Sequence, residues 1–93
     1  MNRLELIRML LDQRFSPTEL EVEDESHLHS GHAGARSGKG HFRIRIVADA
    51  FEGQSAVKRH RMIYDALADL MVTDIHALSI EALPPTQAGT RSA

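Results

Sequence analysis

The stretch "DESHLHSGHAGARSGKGHF" (24–42) holds four of the chain's six histidines and four of its six glycines. Neutral imidazole is a ligand for zinc, copper, nickel and iron, and it titrates near neutral pH. His27, His29 and His32 crowd one glycine-rich segment, so metal binding and a plain solvated loop are both open readings. The chain has no cysteine. That excludes a disulfide scaffold, a thiolate zinc site and a cysteine nucleophile. Any iron–sulfur cluster would have to take its thiolates from another molecule. Histidines alone make an open site, and their spacing does not name a metal. The other two are His60 and His76. His60 projects from the apolar side of a helical pattern, which predicts a buried, hydrogen-bonded side chain. His76 opens the last strand on the alternation of Leu78 and Ile80. There it can reach core or solvent, as a structural residue or as a ligand.

Other chemistries fit poorly. "GARSGKG" has only three residues between Gly34 and Gly38 and leads into a strand, whereas a P-loop needs four and opens a helix. Asp24, Ser26 and His27 are sequence neighbours, which seldom form a nucleophilic triad. No enzyme is expected. The basic stretch "KRHR" (58–61) offers Lys58, Arg59 and Arg61 to nucleic acid. Asp65 and Asp69 share its face, and Arg61 with Asp65 has the i, i+4 spacing of an ordinary surface pair.

Short elements must position these groups. Leu4, Ile7, Leu11 and Phe15 recur at helical spacing over 3–15, with Asn2 and Glu5 in the form of a capping box. "SPT" breaks that helix, and "ELEVED" alternates as a strand. After the loop, "HFRIRIVAD" sets Phe42, Ile44 and Ile46 against Arg43 and Arg45, predicting a strand with one solvated face. Ser55 caps a second helix over 56–71. Its predicted apolar face is Val57, His60, Ile63, Tyr64, Leu67, Leu70 and Met71. "DIHALSIEAL" is the last strand, and Pro84 and Pro85 end it. The order predicts one α+β domain, an αββαβ two-layer sandwich with both helices on one face of a three-stranded sheet. It occupies residues 1–83, with a disordered tail over 84–93.

At 93 residues the chain is long enough for one core. Its net charge of -2 gives no long-range attraction to nucleic acid. No apolar run approaches the roughly 20 residues that span a bilayer. The N-terminal pattern contains Glu5 and Asp12 and does not read as a signal peptide. No membrane association and a cytoplasmic location are expected.

The strings "LEVEDES", "HFRIRIVADAFEGQSAVKRHRMIYDAL" and "IHALSI", in this order around a His–Gly loop, strongly resemble the BolA family. The resemblance covers about residues 4–81. It implies an αββαβ domain with a mixed sheet, similar in topology to class II KH domains. It also implies a heterodimer with a monothiol glutaredoxin of the CGFS type, sharing a [2Fe–2S] cluster. In the family the glutaredoxin and a bound glutathione supply the thiolates, and the BolA-like chain supplies histidine. The "HAL" histidine corresponds to His76. The loop ligand corresponds to His29, with His32 close enough to substitute. His27, Gly31 and His76 would then lie at the partner interface. The isolated chain is expected to hold no cluster and to be a monomer or weak dimer. The family is also associated with transcription regulation in stress response and cell shape, which makes DNA the alternative partner, through Lys58, Arg59 and Arg61. The turn "EGQS" departs from the G-x-x-G clamp of nucleic-acid-binding KH domains.

Overall fold

The structure, a computed structural model, describes residues 2–26 and 40–88. Helix α1 spans Arg3–Phe15. Asn2 caps it, its side-chain oxygen accepting the Glu5 N–H at 2.8 Å. Ser16 ends it in the left-handed region at φ 46°, donating its N–H to the Asp12 carbonyl. Strand β1 is Glu19–Asp24 and strand β2 is Gly40–Val47. A 3-10 turn at Asp49–Phe51 leads into α2, Ala56–Ala66. The Ser55 hydroxyl accepts the Lys58 N–H at 3.1 Å as its cap. A separate α3 follows at Ala68–Thr73, then β3 at Ile75–Leu83 and α4 at Pro85–Ala88.

The sheet has the order β1-β2-β3. β1 runs antiparallel to β2, and β2 runs parallel to β3, so the sheet is mixed. The α+β class and the order expected from the sequence are the ones observed. Phe42, Ile44 and Ile46 face the core with Ile7 and Leu11 of α1, Ile63 of α2, and Leu67 and Leu70 beyond it. The Phe15 and Phe51 rings close one end, 5.2 Å apart. Among the described residues no helix is long and apolar enough to cross a membrane.

Four expectations need correction. The second helix breaks at Leu67, which is not helical (φ -109°, ψ 16°) and whose N–H is shared between the Ile63 and Tyr64 carbonyls. Its buried side is also rotated from the predicted one. Ile63, Leu67 and Leu70 are buried and Met71 is partly buried, but Val57, His60 and Tyr64 are exposed. The inward position of the first turn belongs to Arg59. Its Nη1 donates to the Ala82 carbonyl at 2.7 Å and its Nε to the Gln54 carbonyl at 3.0 Å. A long cation can fill an inner helical position where carbonyls wait for it, which hydrophobic periodicity alone does not register.

The outer face of the sheet is less solvated than alternation suggests. Arg45 is only 5% exposed. Glu19 at 2.7 Å, Glu81 at 3.2 Å and Glu21 at 3.9 Å surround its guanidinium. Finally, the C-terminal tail does not begin as disorder at 84. Pro85–Ala88 forms one helical turn with Ala88 buried, its Gln87 and Ala88 N–H groups donating to the Pro84 carbonyl. Residues beyond it lie outside the described ones.

Candidate functional site

β2 and β3 start side by side, and their register slips there. Gly40 pairs with Ile75, but the next residue, His41, pairs with Ala77. His76 is therefore the extra residue of a β-bulge. Bulges are uncommon in parallel pairs and re-aim side chains where they occur. This one corrects the sequence reading of His76. Without it, His76 would share the inward alternation of Leu78 and Ile80. With it, Ile75, Leu78, Ile80 and Ala82 make the core side of β3, and His76 is exposed.

The His76 ring lies against that of His41, with centroids 4.9 Å apart and planes tilted by 52°. His41 itself is buried, at 9% exposure. Its N–H donates to the Ser26 hydroxyl at 3.0 Å, and its carbonyl accepts the Glu25 N–H at 2.8 Å. Ser26 is fixed in turn, its N–H donating to Asp24 Oδ1 at 2.9 Å. On the other side Gly40 donates to the Asp74 carbonyl at 2.9 Å. The rim carrying His76 is thus tied to both β1 and the α3–β3 junction.

Asp74 secures the junction further. Thr73 donates its hydroxyl to one carboxylate oxygen, and Arg3 Nε donates to the other at 3.1 Å. Those bonds, the Thr73 one first, hold the Asp74 carboxyl below its ordinary pKa. Across the outer face, Arg43 pairs with Glu23 at 2.6 Å and Glu25 at 3.3 Å. The Glu23 hydrogen bond is the main cause raising the Arg43 pKa. Five carboxylates (Glu19, Glu21, Glu23, Glu25 and Glu81) thus surround two guanidinium groups, a poor surface for a polyanion.

Of the residues singled out in the sequence, His76 is presented outward. His27, His29, Gly31 and His32 lie outside the described residues, though their segment must leave from Ser26 and return at Gly40, next to the bulge. Among the described residues no group of three or more His, Cys, Asp or Glu side chains could hold a metal. Lys58 and Arg61 are exposed on α2. Arg59 is already committed to Gln54, Ala82 and Gln87, so a phosphate would have to compete with those acceptors. His41 was missed in the sequence. The available signal was its place at the start of a strand, on the face of Arg43 and Arg45, opposite the "HAL" segment.

A family model described as BolA-like protein matches residues 11–87. The chain is 51% identical over 86 residues to SufE-like protein 1, chloroplastic/mitochondrial, of Arabidopsis thaliana, covering 87% of this chain and 23% of that protein. It is 39% identical over 93 residues to Protein BOLA1, chloroplastic, of the same plant, covering 97% of this chain and 58% of that one. The chain therefore spans only part of the length of these two relatives. Among solved structures, the BolA domain of SufE1 from Arabidopsis thaliana superposes with a TM-score of 0.84 at 49% identity, over 94% of this chain and 96% of that one.

Proposed function

The chain belongs to the BolA-like family, and on that premise we propose that it pairs with a monothiol glutaredoxin of the CGFS type and co-ligates a [2Fe–2S] cluster for iron–sulfur trafficking or iron and redox sensing. His76 is this chain's fixed donor. His29 is the second, with His32 able to replace it. The thiolates come from the glutaredoxin and its glutathione, since this chain has no cysteine.

The observation that carries the reading is the bulge. It turns a histidine out of the core-facing alternation of β3 and leaves it exposed at the sheet rim, beside the two anchor points of the histidine-bearing segment. A single outward imidazole on a rigid rim suits a site completed by a partner, not a closed site within one chain. Neutral imidazole in place of thiolate makes such a cluster less negative and raises its potential. Protons also compete with a metal for imidazole near neutral pH, so a histidine-held group is released more readily than a thiolate-held one.

Two elements of the proposal concern context. A cytoplasmic location is one of them; the two relatives above are chloroplastic or mitochondrial by name. The other is that the chain acts as a binding module and not as an enzyme. The test is co-expression with a monothiol glutaredoxin. The chain alone should purify colourless, and the complex should carry the visible absorption and circular dichroism of a [2Fe–2S] cluster. Stoichiometric cluster on this chain by itself overturns the assignment of the thiolates.

A further inference from the structure

The bulge that exposes His76 creates a problem. An exposed histidine on an irregular strand start has several rotamers open to it, and ordering such a side chain on binding costs affinity. A donor that must meet a partner's site is more effective when its orientation is set beforehand. The neighbour that could set it is His41. Its ring centroid is 4.9 Å from that of His76, within the range of favourable tilted aromatic contacts.

We propose that His41 is the positioning residue of His76: its buried imidazole is the wall against which the His76 ring is held as it points out of the bulge. His41 is well placed for this, and at 9% exposure it is less accessible to a partner than His76. Its Nε2 is sealed from solvent. Its backbone is fixed on both sides, by Ser26 and Glu25 toward β1 and by the pairing with Ala77 toward β3. The residue paired with it, Ala77, carries only a methyl group. Gly40, just before, has no room for a Cβ between the Phe42 ring and the Ser26 hydroxyl, so the strand start cannot drift without disturbing the core. The wall is therefore as rigid as β2, while the donor it orients is exposed. Only the consequence for a bound cluster rests on the function proposed above; the contact between the two rings does not.

The experiment uses the apo protein first. In solution NMR, His76 in the wild type should show ring-proton shifts displaced by the neighbouring ring, and one dominant χ1. His41→Ala should return the His76 ring protons to the values of a solvated histidine and average its χ1. His41→Phe keeps an aromatic wall and should preserve both signatures. His41→Leu fills the volume without a ring, and decides the matter if His41→Ala does not fold. It should lose the ring shift while keeping the melting temperature near that of the wild type. Wild-type His76 signals in a folded His41→Ala or His41→Leu overturn the proposal, as does a folded His41→Phe with a disordered His76. In the glutaredoxin complex, His41→Ala should shorten the cluster lifetime about two- to tenfold, the size of one side-chain ordering penalty. His41→Phe should stay near wild type. A wild-type complex without any cluster overturns the functional reading, and the apo spectra still decide the positioning role.

Discussion

Replacing Gly40 by alanine is the sharpest structural perturbation of the rim. Gly40 does not need a left-handed backbone; among the described glycines, only Gly53 has positive φ, at 74°. Space is the constraint. A Cβ at Gly40 would stand 2.6 Å from Phe42 Cε2, 2.9 Å from its Cζ and 3.0 Å from the Ser26 hydroxyl. Carbon atoms prefer about 3.5–4.0 Å, so the ring must move by roughly 1 Å. Phe42 is 2% exposed and packed in the core, so it cannot swing into solvent. Overpacking of this kind costs about 1–3 kcal/mol. For a domain of this size that lowers Tm by on the order of 5–20 °C. Urea denaturation followed by circular dichroism measures the loss. The amide spectrum should show it centred on Ser26, His41, Phe42 and His76. Gly53→Ala is the control, since its Cβ meets nothing within 4 Å. It should cost about 1–2 kcal/mol through backbone strain alone and leave the rim resonances in place. A Gly40→Ala protein with the wild-type midpoint would refute the close approach, and with it the rigid rim.

Arg59→Ala removes the bonds to the Gln54 and Ala82 carbonyls and should destabilise the fold by about 1–3 kcal/mol, whereas Lys58→Ala should change stability by under about 0.5 kcal/mol. Equal effects in denaturant titrations contradict the structural role of Arg59. His60 is exposed, so His60→Ala should also stay within about 0.5 kcal/mol; an early melt means that the helix face has been misplaced. Asp74 has a folded-state pKa below its ordinary 3.8, through Thr73 and then Arg3. Its contribution is present above the unfolded value and is lost as pH falls through the lowered folded one. The stability gap between wild type and Asp74→Asn should therefore be level near neutral pH and shrink on acidification below about 4, and a gap that widens there reverses the sign.

Patterns of two and of 3.6 carried most of the fold. The α1 stripe, "ELEVED" and "HFRIRIV" each stand where their periodicity put them, because each has one apolar side and one core to cover. Periodicity failed where a polar group met a specific partner. Arg59 occupies an inner helical position because the edge strand offers it the Ala82 carbonyl. His60 and Tyr64 looked inward because they flank apolar positions, yet Ile63, Leu67 and Leu70 already fill the available arc. The bulge at His76 is the clearest case. Nothing in "DIHALSI" marks an extra residue, since Ile75 and Leu78 each fit an alternating strand when taken alone. Only the parallel register with β2 shows that both face the core, and only the bulge brings His76 next to His41. The ligand role proposed for His76 rests on family resemblance alone, while its exposure at the rim became visible only in the sheet.

The central claim is that His76 donates to a cluster whose thiolates lie in another molecule. Pulsed electron paramagnetic resonance of the reduced glutaredoxin complex, with this chain labelled by 15N-histidine, tests it most directly. The wild-type complex should show hyperfine coupling from a directly bound imidazole nitrogen of this chain. The His76→Ala complex should lose that coupling or keep only the part due to a loop histidine, while the free variant melts within a few degrees of wild type. A wild-type coupling that persists undiminished in His76→Ala, or a wild-type cluster with no histidine nitrogen from this chain, contradicts the account.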